Sequence, residues 1–337
     1  MTPLETQRCR SGLKAHLRSL FDQRRYLEVE TPIMVVQPGT EVYIDYFQTK
    51  WQDFRGSEHE LYLRSSPELH MKQLLSAGAE RIFQFAPSFR NSGELARWHH
   101  PEFLMLEWYE TGLSFMGMIE QTEALLRSSA AHIVDSYRPQ NPFKFPDAIA
   151  KFTVAEAFKE FAGIALVDGD KDLAKVARER GFRSVGANDD FETAFFKLLI
   201  DAIEPGLEAC GVAVLYDYPK SQAALARIEG DVAKRFEFYL GRIEICNGFA
   251  ELSSASENES RILEANQRRR EIGRNPTMVD HDFLGAMASA FPACCGNALG
   301  IDRMLAIFLG HSDIEQVTPF RHGSPYCGPH ANRPDSH

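Results

Sequence analysis

Arg235-Phe236-Glu237-Phe238-Tyr239-Leu240, then Arg242-Ile243-Glu244-Ile245-Cys246-Asn247-Gly248-Phe249-Ala250-Glu251-Leu252, reads as two successive strands with no helix between them. Aromatic and β-branched side chains fill both runs, as suits a pleated, half-buried surface. Upstream, residues 211–216 read as another strand. Further back, 81–90 and 103–109 look like two strands joined by a polar loop. A doubly wound fold would alternate each strand with a helix, and this chain does not. The pattern predicts an α+β fold: a mainly antiparallel sheet flanked by helices. No G-x-G-x-x-G follows a strand and no G-x-x-x-x-G-K-[ST] occurs, so any phosphate must be handled by arginines rather than a glycine cradle.

Helices frame these strands. Leu13, Leu17, Leu20 and Phe21 form one stripe over 5–25, and 114–134 is a second amphipathic helix. Between them, 26–33 reads as a strand ended by Pro32, Pro38-Gly39-Thr40 as a turn, 42–49 as a strand and 67–77 as a helix. Pro139, Pro142 and Pro146 mark a connector. Residues 150–210 then read as helices, with a capping box at Thr153-Val154-Ala155-Glu156. A polar helix at 256–273 and a strand and helix over 295–309 complete the pattern. We expect one domain over 1–318, with a helical insertion at about 147–210, and a flexible tail over 319–337.

The composition is that of an ordinary globular protein: 337 residues, 44% hydrophobic and 25% charged. No apolar run is long enough to span a membrane, and the first residues lack a secretory pattern. A net charge of −10 argues against a global field for nucleic acid. The run Arg261, Arg268, Arg269, Arg270 and Arg274 is expected to be a solvated helix face. Six cysteines with no C-x-x-C pair or zinc spacing fit a reducing cytoplasm. The adjacent Cys294-Cys295 are expected to be buried thiols.

Four segments place charge inside apolar surroundings. Arg90 ends an apolar strand, where a guanidinium can grip a phosphate bidentately, with Phe103 available to stack on a base. Alternation puts Met105, Glu107 and Tyr109 on one strand face, away from Leu106 and Trp108. Glu237 and Glu244 within apolar strands are costly unless paired or metal-bound. They could share Mg²⁺ or form ion pairs with buried arginines. Glu251, Glu107 and Tyr109 could form an ammonium pocket. Arg303 stands in the first turn of an apolar helix, where it opposes the helix dipole and so points to an anion in front of it.

At these segments the chain resembles the class II aminoacyl-tRNA synthetases, specifically the lysyl branch. Glu28-Val29-Glu30-Thr31-Pro32 with the preceding helix is similar to motif 1. Phe89-Arg90-Asn91 through His99-His100-Pro101-Glu102-Phe103 is similar to motif 2, and Gly296 through Arg303 to motif 3. Ser66-Pro67-Glu68, Met105 through Tyr109 and Glu244 through Glu251 resemble the lysine-binding segments. The core helix starts near residue 5, so the anticodon-binding barrel that precedes the core in the tRNA synthetases is expected to be missing. That narrows the likeness to the truncated paralogs that attach (R)-β-lysine, or lysine, to a lysine of elongation factor P. Ala298 points the same way, because the resemblance implies glycine there in lysyl-tRNA synthetases and alanine in these paralogs.

The resemblance implies the following roles. Arg90 contacts the substrate carboxylate and the α-phosphate, and Arg303 and His99 reach the β- and γ-phosphates. Phe103 stacks on adenine. Asn91, Glu94, Arg97 and Glu244 complete the ATP contacts, and Glu237 with Glu244 holds Mg²⁺. Glu68 takes the amino group near the carboxylate. Glu107, Tyr109 and Glu251 hold the distal ammonium, Asn247 orients the carboxylate, and Phe249 and Ala298 shape the pocket. Three departures stand out in motif 2: Ser92 in a glutamate's place, with Glu94 as substitute; Trp98 in an arginine's place, with Arg97 one position earlier; and His100 for asparagine. The expected partners are ATP, (R)-β-lysine or lysine, elongation factor P, and a second copy through motif 1, in the cytoplasm. A tRNA-charging core and an inactive regulatory paralog are the rival expectations. Retention of Arg90, Glu237, Glu244 and Arg303 weighs against the inactive paralog.

Overall fold

The computed structural model describes residues 1–91 and 97–320. Its strands are β1 (Leu27–Glu28), β2 (Met34–Val35), β3 (Gln48–Gln52), β4 (Glu58–Leu63), β5 (Arg81–Phe89), β6 (Glu102–Thr111), β7 (Ala150–Thr153), β8 (Val212–Pro219), β9 (Ile228–Glu229), β10 (Val232–Leu240), β11 (Ile243–Ala250) and β12 (Cys294–Gly300). Nine of them form one sheet in the order β1-β5-β6-β12-β11-β10-β8-β7, with β9 beside β10. Only the two outermost pairs, β1–β5 and β7–β8, are parallel. The expected α+β, mainly antiparallel architecture is what the chain adopts. β2, β4 and β3 form a small separate sheet.

The helices are α1 (Pro3–Gln23), α2 (Glu68–Ser76), α3 (Phe115–Tyr137), α4 (Val154–Ala157), α5 (Leu173–Glu179), α6 (Phe191–Leu198), α7 (Glu204–Cys210), α8 (Ala255–Glu271), α9 (His281–Ala290) and α10 (Ile301–Phe308). Thr2 opens α1 with a capping box to Glu5, and Pro3 supplies a preset φ at the first helical position. Every fourth residue, Cys9, Leu13, Leu17 and Phe21, is buried. This stripe meets Leu106 and Trp108 of β6 and the inner face of α3 in the main core. Because strand side chains alternate, that core fixes Met105, Glu107 and Tyr109 on the opposite face of β6.

The insertion carries a second core. Phe158 and Phe195 stack at 5.0 Å, and Leu198, Ile203 and Leu207 pack with them against Ala213, Leu215 and Tyr239 of the sheet. It is not purely helical. Residues 150–153 are strand β7, which pairs with β8, and π-helical turns at Phe158–Ala162 and Leu199–Ile203 extend α4 and α6. The Thr153–Glu156 capping box is present.

Other expectations need correction. The strand over 26–33 shrinks to Leu27–Glu28, because the carbonyls of Thr31 and Pro32 accept from the Arg64 guanidinium instead of a neighbouring strand. Residues 42–47 are not a strand either. Arg269 donates to the carbonyls of Glu41, Val42 and Ile44, and Arg274 to that of Tyr43, so side chains satisfy this backbone. The arginine run is therefore not a plain solvated face, and Arg269 is 4% exposed. Helix α9 and strand β4 were not anticipated. Cys294 and Cys295 are buried free thiols. Among the described residues, no helix is long and apolar enough to cross a membrane. Ser92 and Glu94 lie outside the described residues, as do Cys327 and the proposed tail beyond Phe320.

Candidate active site

A cavity of about 510 Å³ opens over the centre of the large sheet. Its floor is built from alternate residues of three adjacent strands: Met105, Glu107 and Tyr109 of β6, Gly296, Ala298 and Gly300 of β12, and Asn247 and Phe249 of β11. Register sets the grid. Ala298 sits between Glu107 and Asn247, and Gly296 between Tyr109 and Phe249. Glycine at 296 is a matter of space, since a Cβ there would lie 2.3 Å from Tyr109 Cε1 and 2.7 Å from Glu251 Oε1. The opposite wall is loop and helix surface, including Tyr43, Glu192, Phe196 and Leu225. Two polar bonds tie that wall together: Tyr43 Oη donates to Glu192 at 2.7 Å, and Arg268 pairs with Asp190 at 2.7 Å. The insertion thus reaches the cavity through α6.

One end is rich in carboxylates. Glu107 is 1% exposed and accepts from Ser66 Oγ at 2.8 Å and Tyr109 Oη at 2.6 Å. Burial, reinforced by Glu68, pushes the Glu107 carboxyl up to about 8 despite those donors. Glu251 is equally buried, and burial also raises it, against the pull of Lys72. Lys72 Nζ lies 2.6 Å from Glu68 Oε1 and 2.6 Å from Glu251 Oε2. The contact with Glu251 is a close charge contact rather than an aligned hydrogen bond. Carboxylates kept short of cations in this way suit an ammonium ligand.

The other end is cationic. Arg90 and Arg303 both line it. The Arg90 guanidinium lies 5.2 Å from the centre of the Phe103 ring, and its buried Nε has no hydrogen-bond partner among the described residues. A buried donor without a partner is costly, so this one is set for an acceptor from a ligand. Arg303 donates to the carbonyls of Glu244 at 2.7 Å and Trp98 at 3.1 Å, and meets His99 Nε2 at 2.8 Å. Loss of water around His99, together with Arg303 and Arg90, holds that ring's pKa well below its ordinary value. The ring is therefore neutral and presents no further charge. Glu244 faces the same space, raised by burial and by the charge of Glu237 behind it.

Twelve of the residues singled out converge on this one cavity: Glu68, Arg90, His99, Phe103, Glu107, Tyr109, Glu244, Asn247, Phe249, Glu251, Ala298 and Arg303. Three others do not line it. Asn91 pairs by its backbone with Asp45, and the Arg97 carbonyl accepts from Ile314. Glu237 is 4% exposed and is held by Arg235 and by Tyr239 Oη at 2.7 Å, behind Glu244 as seen from the cavity. Glu94 lies outside the described residues. Two contributors were missed. Arg235 lines the cavity and donates to Asn247 Oδ1 at 3.2 Å, and Lys72 bridges Glu68 and Glu251. Their signals were an arginine two residues before a strand glutamate, and a lysine four residues after Glu68 among apolar helix positions.

Comparison with known proteins agrees with this geometry. Residues 4–323 match the family model of tRNA synthetases class II (D, K and N). The chain is 35% identical over 324 residues to an elongation factor P–(R)-beta-lysine ligase of Vibrio vulnificus (strain YJ016), covering 94% of this chain and 95% of that one. Proteins of the same description from Vibrio cholerae serotype O1 (strain ATCC 39315 / El Tor Inaba N16961) and Avibacterium paragallinarum are each 35% identical, over 92% and 94% of this chain and 93% and 95% of theirs. With one cavity joining a carboxylate end to an arginine end on a mostly antiparallel sheet, the chain belongs to the class II tRNA synthetases of the D, K and N type, among the elongation factor P–(R)-beta-lysine ligases.

Proposed function

We propose that the protein is an AMP-forming ligase that activates (R)-β-lysine, or lysine, with ATP and transfers the acyl group to a lysine side chain of elongation factor P. The observation that carries this reading is the polarity of the cavity: acidic groups at one end, Arg90 and Arg303 at the other, and a floor of small residues between them. A diamino acid fits that axis with its ammonium groups among Glu68, Glu107 and Glu251 and its carboxylate toward Arg90.

The first step is attack of the substrate carboxylate on the α-phosphorus of ATP, giving the acyl adenylate and pyrophosphate. Positioning and charge neutralisation do this work. Arg90, whose Nε has no partner among the described residues, takes the α-phosphate and the carboxylate. Arg303 and neutral His99 face the departing phosphates, and Phe103 offers its ring to adenine. Glu244, with Glu237 behind it, suits a divalent cation because two carboxylates press on each other there. Mg²⁺ bound at this pair would neutralise phosphate charge. Asn247, oriented by Arg235, faces the acyl group. In the second step a neutral acceptor ε-amine attacks the adenylate carbonyl, the C–N bond forms, AMP leaves and the amine loses a proton.

The arginines of α8 and its C-terminal flank are engaged with the protein's own chain, which disfavours a tRNA surface there. Exposed Leu27, Ile33, Met34 and Val36 around β1 and β2 support a homodimer through that region. The protein would work in the cytoplasm, where elongation factor P and ATP are found. The deciding measurement is the intact mass of elongation factor P after incubation with ATP and each lysine isomer. A gain of one lysyl unit on one lysine is expected. Charging of tRNA(Lys) with no change in elongation factor P would overturn the reading.

A further inference from the structure

Lys72 is wholly enclosed and does not reach the cavity. A buried lysine ordinarily tends to lose its proton. Here burial pulls in that direction, but Glu251 and then Glu68 outweigh it, so the side chain stays an ammonium. Its surroundings are fully specified. Glu68 lies on its own helix, Glu251 follows β11, Glu107 and Tyr109 lie on β6, and Cys294 on β12. Arg64 is also nearby, but it donates to the carbonyls of Thr31, Pro32 and Pro87 and to Thr31 Oγ1, not to the carboxylates. Lys72 is therefore the only described cation in contact with this carboxylate group. In the ionised form that binds an ammonium, three carboxylates less one ammonium leave two negative charges.

We propose that Lys72 is an internal counter-cation that cancels one carboxylate charge and ties Glu68 to Glu251, leaving the cavity two charges matched to a substrate with two ammonium groups. This inference rests on the diamino-acid reading above. It makes Lys72 a positioning and specificity residue that acts through Glu68 and Glu251 without touching the substrate. Its field also favours the ionised, ammonium-binding form of Glu107 and Glu251. The sign follows: the carboxylate is the binding form, so KM for the amine falls as pH rises through the region of Glu107, at about 8. Without Lys72 that fall must move to higher pH.

The test is pyrophosphate exchange dependent on (R)-β-lysine or lysine, followed across pH for the full chain and for Lys72→Met and Lys72→Arg. In Lys72→Met the amine KM near neutrality should rise about tenfold and the pH midpoint should move up by about one unit, with the KM for ATP nearly unchanged. Lys72→Arg keeps the charge and should keep the midpoint, whatever its KM. A Lys72→Met midpoint equal to wild type, or amine and ATP constants rising together, overturns the inference while leaving the proposed function intact. Should Lys72→Met not fold, Lys72→Arg decides alone: an unmoved midpoint supports the inference and an alkaline one overturns it. Absence of exchange in the wild-type protein with either isomer removes the proposed function and this inference together.

Discussion

Arg90 illustrates what a single side chain carries. Its guanidinium lies over the Phe103 ring while its Nε meets no hydrogen-bond partner among the described residues. Replacement by alanine removes a charged donor from the position where phosphate charge develops. Such losses cost about 10²–10³-fold in rate. Arg90→Ala should therefore lower amine-dependent pyrophosphate exchange by at least that factor with the melting temperature preserved, and retained exchange would remove Arg90 from the chemistry. Arg90 and Arg303 were legible because each breaks a local rule: one charge closes an apolar strand, the other opposes a helix dipole. Lys72 gave only a faint signal, a lysine among apolar helix positions. Its spacing from Glu68 is that of any surface ion pair on a helix, and only the fold reveals that the lysine is fully enclosed. Glu237 shows the converse. A glutamate in an apolar strand signals a partner, but not whether the partner is a metal or Arg235.

Among the elements, β12 does the most with the least. Gly296, Ala298 and Gly300 face the cavity between the side chains of β6 and β11, so the space is set by what this strand omits. In Gly296→Ala the new methyl meets the Tyr109 ring and a Glu251 oxygen. Overpacking of this kind costs about 1–3 kcal/mol. The expected readout is an amine KM raised about tenfold or more, with little change for ATP. An unchanged amine KM would mean that Tyr109 does not define that wall. Alternation along β6 was readable because Leu106 and Trp108 had to face the core. The segment over 42–47 was not readable as a loop, because its apolar alternation is genuine. What displaces it from the sheet is Arg269, more than two hundred residues away, which satisfies three of its neighbouring carbonyls. The arginine run was misread for the same reason: a charge pattern does not show which carbonyls will come within reach.

For the molecule as a whole, the insertion is continuous with the sheet rather than appended to it. Strand β7 pairs with β8, and the second core includes Ala213, Leu215 and Tyr239 of the sheet. Calorimetry should accordingly show one unfolding transition, and a separate transition for the insertion would contradict the shared core. The composition shift at 139–146 marked the start of the segment, but the four strand residues that anchor it were too few to stand out. The same arrangement makes the two walls of the cavity unlike. One is the middle of a nine-stranded sheet, which opens only when the molecule unfolds. The other is held by side-chain bonds such as Tyr43 to Glu192 and Arg268 to Asp190, each open to water. The two walls therefore differ in what opening them would cost: bedding made of backbone ladders on one side, and on the other a cover stitched down by single side chains, the exposed ones easiest to undo.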